Sequence, residues 1–156
     1  MPLINVGETA PQFELSDQDN QIVRLADYRG KQPVVLYFYP KDDTPGCTLE
    51  AISFRDRMAD FKAAGVEILG ISPDNVNSHR AFASKCELPF RILADPDHRV
   101  CELYGVWQEK NNYGKKYMGV ARTTYILDRD GVVRRVYPKV KVDGHADAVL
   151  KEALSL

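Results

Sequence analysis

The chain has 156 residues, 44% hydrophobic and 28% charged, a balance that fits one globular domain over residues 1–156 and argues against disorder. Its 21 basic and 22 acidic side chains leave no basic excess to draw it to nucleic acid or to an anionic membrane. The longest apolar run, residues 34–39, is far short of the roughly 20 residues of a membrane helix. The first five residues also lack the basic start and apolar stretch of a secretory signal, so the cytoplasm is the expected compartment.

In chain order, residues 13–15 and 22–25 flank Asp17-Gln18-Asp19-Asn20 and predict a small hairpin. Residues 34–39, ended by Pro40, predict a central strand buried on both faces. From 47 to 64 the apolar positions Leu49, Ile52, Phe54, Met58, Phe61 and Ala64 recur mostly at helical spacing, and Gly65 closes the segment. Residues 66–71 read as a second buried strand, Ser72-Pro73-Asp74 as a turn, and 75–86 as a helix punctuated by Pro89. A short strand at 91–93 precedes a brief helix from Asp95 to about Tyr104. Residues 123–127 and 132–137 flank Asp128-Arg129-Asp130-Gly131 as a hairpin, and 146–154 predict a closing helix. Strands alternating with helices early and an antiparallel pair late predict an α/β domain with a mixed central sheet covered by helices, of which a thioredoxin-like fold is one form.

Three cysteines, Cys47, Cys86 and Cys101, are too few and too scattered for a disulfide scaffold. Cys47 has the most suggestive surroundings. A buried strand ends at Pro40 and a polar loop follows; Thr44 is placed to cap a helix through its hydroxyl, and Pro45 suits the first helical position. Cys47 then falls in the first turn, where unpaired N–H groups and the helix dipole favour the thiolate, the nucleophilic form of the residue. Gly46 leaves room for a small substrate. Thioredoxin-type dithiol exchange needs a Cys-x-x-Cys pair, but the third residues on either side of Cys47 are Thr44 and Glu50. Lys41, Asp42 and Asp43 read as solvated loop charges, and His79 and His145 as surface residues. His98-x-x-Cys101 is a single pair where a closed zinc site needs four ligands, so no metal is expected.

Pro40-x-x-x-Thr44-x-x-Cys47 resembles the active-site signature of peroxiredoxins. Phe38-Tyr39-Pro40 through Thr44-Pro45-Gly46-Cys47-Thr48, with Glu50-Ala51, resembles the peroxiredoxin Q, or bacterioferritin comigratory protein, branch. So do Gly7-x-x-Ala10-Pro11-x-Phe13, Phe54-Arg55-Asp56, Tyr104-Gly105-Val106-Trp107, Tyr113-Gly114-Lys115 and Arg122-x-Thr124-Tyr125-Ile126-Leu127-Asp128. The resemblance implies a thioredoxin-like fold, largely monomeric, and a peroxidase that reduces hydrogen peroxide and organic hydroperoxides without metal, haem or flavin. Cys47 would be the peroxidatic nucleophile, becoming a sulfenic acid. Thr44 would hydrogen-bond the peroxide, Pro40 would wall the pocket against water, and Arg122 would set a fixed positive charge beside the thiolate.

The same resemblance leaves the second half of the cycle open. Many members of the branch carry a resolving cysteine five residues after the peroxidatic one, where this chain has Ile52. Others place it in the following helix, near Ala83, so Cys86 is the favoured resolving candidate and Cys101 the second. Without either, a thioredoxin-like protein or another external thiol would reduce Cys47 directly. A non-enzymatic redox sensor built on the same thiol is the rival from another functional class.

Overall fold

Alternation along one strand organises the molecule, seen in a computed structural model that describes residues 2–156. In β3 (Val34–Phe38) all five side chains are buried. Val34, Leu36 and Phe38 pack into one hydrophobic cluster, whereas Val35 and Tyr37 pack into another on the opposite face. An unbroken apolar run thus serves two cores. β3 pairs in parallel with β4 (Glu67–Ser72), which pairs in parallel with β5 (Arg91–Ala94). The N-terminal hairpin of β1 (Glu14–Ser16) and β2 (Ile22–Arg24) extends that edge through an antiparallel contact with β5. On the other side of β3, β8 (Thr123–Leu127) and β9 (Val133–Tyr137) add antiparallel strands. The resulting order is β2-β1-β5-β4-β3-β8-β9, a mixed sheet as the pattern predicts.

Helices α1 (Pro45–Asp56), α2 (Met58–Ala63), α3 (Val76–Cys86) and α5 (His145–Ala153) cover one face and supply its cluster with Phe54, Phe61, Phe82 and Val149. The other face is closed by α4 (Arg99–Leu103), Tyr104, Val106 and the N-terminal segment. Among the described residues no helix is long and apolar enough to cross a membrane.

Two elements depart from expectation. The single helix predicted over 47–64 breaks at Arg57, where φ is −110° and ψ is 7°. Its N–H bonds back to the Phe54 carbonyl, and its guanidinium is held by the Ser53 carbonyl and by Asp147 of α5. A tertiary ion pair accompanies that break, and helical spacing alone carries no sign of it. The second departure is a hairpin of β6 (Trp107–Asn112) and β7 (Lys115–Val120) standing apart from the main sheet. It turns through Tyr113 and Gly114, with φ of 53° and 83°. Most of its side chains face solvent, so it lacks the apolar alternation that announces a half-buried strand.

Candidate active site

The loop after β3 delivers Cys47 to the start of α1. Thr44 occupies the extended N-cap position and Pro45 the first turn, as expected. The Thr44 hydroxyl, however, does not cap the helix: it donates to the Lys41 carbonyl at 2.8 Å. The N–H groups of Gly46 and Cys47, which have no acceptor earlier in the helix, are thereby left without a side-chain cap. Cys47 is 1% exposed, packed among Tyr37, Ala51 and Phe54.

Arg122 arrives from the segment before β8 and brings its Nη2 to 3.4 Å from the Cys47 Sγ. The backbone around it is held on all sides. Ala121 N–H donates to Val106, Val140 N–H donates to the Arg122 carbonyl, and the Thr123 hydroxyl donates to the Ala121 carbonyl. Lys110 Nζ donates to the Val120 carbonyl at 2.9 Å. A β-carbon at position 46 would come to 3.1 Å from Arg122 Nη2, so Gly46 makes room for the guanidinium.

The second Arg122 nitrogen, Nη1, donates to Glu50 Oε1 at 2.7 Å. Glu50 is fully buried, and burial lifts its carboxyl from 4.5 to about 7 even though Arg122 pulls the other way. Its Oε2 finds no hydrogen-bond partner among the described residues. From sequence, Glu50 figures in the Glu50-Ala51 motif but carries no assigned role. The available signal was its spacing: i+3 from Cys47, it shares the core-facing side of α1, where an acidic residue needs a partner.

Pro40 and Thr44 are half-buried, at either end of the loop that leads into α1. Asp42, expected as a solvated charge, is buried at 6% exposure. Asp43 and Lys41 are exposed, with Asp43 paired to Lys85. His79, expected at the surface, is 0% exposed and bonds Asp42 through Nδ1 at 2.6 Å. His145 is buried too: its Nε2 lies 2.8 Å from the Thr124 hydroxyl, and burial with the nearby Arg122 charge lowers it from 6.5 to about 4. Long-range partners allow these three polar side chains to be interior.

The sheet separates the cysteines. Cys47 and Cys86 lie in the cluster on one face, Cys101 in the cluster on the other. Cys86 is buried, and burial pushes its thiol up, with Asp43 adding to the effect. Cys101 is 0% exposed, and burial, then Asp95, push its thiol far up. His98 turns from Cys101 to stack on Trp107 at 4.0 Å between centroids.

Residues 6–136 match the AhpC/TSA family. The chain belongs to that family, and it is a peroxiredoxin. Peroxiredoxin Bcp of Escherichia coli is 46% identical over 147 residues, covering 94% of each chain. Peroxiredoxin Bcp of Bacillus subtilis is 44% identical over 148 residues, covering 95% of this chain and 94% of that one. The solved structure of the Xanthomonas campestris bacterioferritin comigratory protein superposes with a TM-score of 0.87 at 40% identity, covering 92% of this chain and 90% of that one. The thioredoxin-like fold follows, and with it the enzyme class: this peroxiredoxin is a thiol-dependent peroxidase. In that setting a cysteine, an arginine and a helix start in mutual contact form a chemically coherent group.

Proposed function

We propose that Cys47 is the peroxidatic nucleophile and that Arg122, Thr44 and Pro40 serve it in reducing hydrogen peroxide and organic hydroperoxides. The 3.4 Å contact between Cys47 Sγ and Arg122 Nη2, at the first turn of α1, carries this reading. An arginine keeps its charge at any working pH and donates from a rigid fork, so it stabilises both the thiolate and the oxygen that departs. The uncapped N–H groups of Gly46 and Cys47 add donors in the same place. Because the Thr44 hydroxyl proton is committed to Lys41, its oxygen offers lone pairs that accept from the peroxide O–H.

The thiolate attacks one peroxide oxygen and the O–O bond breaks. Sulfur takes that oxygen as a sulfenic acid, and the other oxygen leaves, with a proton, as water or an alcohol. Alkyl peroxide reduction is ascribed to the Xanthomonas relative, which supports organic hydroperoxides as substrates. Stopped-flow fluorescence of Trp107 with peroxide and no donor tests the step. Fast second-order oxidation, lost in Cys47→Ser, is the expected result; unchanged kinetics in that variant refute it.

For reduction of the sulfenic acid we favour Cys86, which shares a core with Cys47, over Cys101 on the far face of the sheet. Arg55, eight residues beyond Cys47 on α1, donates to the Cys86 carbonyl at 2.8 Å. A disulfide needs α-carbons within about 7 Å; α3 ends at Glu87 in the left-handed region, and unwinding of that end would bring Cys86 within reach. Peptide mapping after one equivalent of peroxide is expected to find Cys47 joined to Cys86. Free Cys86 beside a Cys47 sulfenic acid or mixed disulfide establishes a one-cysteine cycle instead. Electrons come from thioredoxin or another thiol donor, to a monomeric cytoplasmic enzyme.

A further inference from the structure

The loop that carries Pro40 and Thr44 is tied to the rest of the protein by a buried polar network that the chemistry above does not use. Asp42 is its centre. Its Oδ1 accepts from the Tyr39 hydroxyl at 2.6 Å. Its Oδ2 accepts from the Ser78 hydroxyl at 2.8 Å and faces His79 Nδ1 at 2.6 Å. The other ring nitrogen of His79, Nε2, faces the Leu93 carbonyl at 2.9 Å. The Asp42 N–H in turn donates to Asp74 Oδ2 at 2.8 Å, and that same oxygen accepts from the Ser72 hydroxyl at 2.7 Å. One loop residue is thus held to the end of β4, the first turns of α3 and, through His79, β5.

Asp42, His79, Tyr39 and Ser72 are all buried, so these bonds are made where an unpaired polar group is costly. Asp42, Asp74 and His79 bring atoms that suit a metal ion within 4.8 Å of one another. Each of those facing atoms already has a hydrogen-bond partner, and the arrangement reads as a clamp. Two residues on either side of Asp42 lie Pro40 and Thr44. Asp43, next in line, has φ of 61°, a left-handed conformation that aspartate tolerates better than most residues, and it turns the loop toward Thr44.

We propose that the Asp42–His79 pair is a positioning element for peroxide reduction, holding Pro40 and Thr44 in register with Cys47 without touching the substrate. It rests on the reading of Thr44 as a peroxide ligand. The pair acts on geometry at the peroxide and leaves the thiolate to Arg122 and the start of α1. Loosening it slows reaction with peroxide and spares reaction with a reagent that needs only the thiolate. Misplacement of a positioned group by about 1 Å is enough to cost one to two orders of magnitude in rate.

The test compares two rate constants of Cys47, with hydrogen peroxide and with iodoacetamide, in Asp42→Asn, His79→Gln, Tyr39→Phe and Ser78→Ala. Expected is a roughly tenfold loss of the peroxide rate in Asp42→Asn and His79→Gln and a few-fold loss in the milder pair. Iodoacetamide alkylation stays within twofold throughout. Tyr39→Phe and Ser78→Ala each remove one donor to Asp42 and leave no large cavity, so they decide the matter if the other two fail to fold. Equal losses with both reagents, or no loss with either, overturn the proposal. A parallel measurement on Thr44→Val separates it from the reading beneath it: a normal peroxide rate there refutes the role of Thr44 itself, whatever the clamp variants do.

Discussion

Replacing Glu50 by glutamine is expected to change how stability depends on pH, with a sign and size set by burial. The Glu50 carboxyl ionises at 4.5 in an ordinary setting and at about 7 in the fold, where burial outweighs the pull of Arg122. Below the lower value both folded and unfolded chains hold the proton, and the stability tied to the neutral form is fully present. As pH rises, the unfolded chain loses the proton first, so stability falls until the folded group also ionises near pH 7. A shift of that span, at 1.36 kcal/mol per unit, amounts to about 3 kcal/mol. Glutamine keeps the shape and can still accept from Arg122 Nη1, but it has nothing to ionise. In denaturant unfolding, the stability of Glu50→Gln relative to the parent should rise by about 3 kcal/mol between about pH 4 and about pH 8. A relative stability that is the same at both ends refutes the argument. The same substitution should remove any inflection near pH 7 from the peroxide rate profile, because Arg122 then faces a neutral group throughout.

His145 works in the opposite direction: its folded value is lowered to about 4, so its contribution is present above 6.5 and lost as pH falls toward 4. His145→Gln should abolish this second term, again about 3 kcal/mol, and leave the parent's Glu50 term unopposed, so that its stability falls with rising pH where the parent's stays nearly level. Arg122→Met should slow oxidation of Cys47 by two to three orders of magnitude in stopped flow, with Arg122→Lys recovering only part, since lysine supplies the charge without the fork. Thr44→Val should change unfolding free energy by less than about 1 kcal/mol, because the hydroxyl does not cap α1, yet slow peroxide reduction at least roughly tenfold. Gly70→Ala would set a β-carbon 2.8 Å from Tyr37 Cζ and 3.0 Å from Ile92 Cγ2 in a packed core; a loss of about 2 kcal/mol by urea unfolding is expected, and a neutral result contradicts the packing described.

The elements legible in sequence were those whose own composition announces them. The apolar run of β3, the Thr44-Pro45-Gly46-Cys47 start of α1 and the Asp-Gly turn before β9 are local statements, and each is found where the pattern puts it. The β6–β7 hairpin was illegible for the converse reason: a strand exposed on both faces has no apolar period to read. At the break, Arg57 meets Asp147, ninety residues away along the chain, a contact no local pattern announces.

The sequence by itself determined that a cysteine would stand at a helix start behind a buried strand, since the apolar run, Thr44 at the N-cap position and Pro45 lie within a dozen residues of one another. Only the tertiary structure decided what surrounds that sulfur. Arg122 and Glu50 meet because β8 lies beside β3 and α1 packs above it. Asp42 and His79 are interior because each offers the other a partner across 37 positions. The sheet leaves Cys86 on the same side as Cys47 and Cys101 on the other. The burial of an apolar residue is favoured almost anywhere in a core, so it can be read from local pattern. The burial of a charge is tolerated only where another chain segment supplies its partner, and that is a property of the assembled fold.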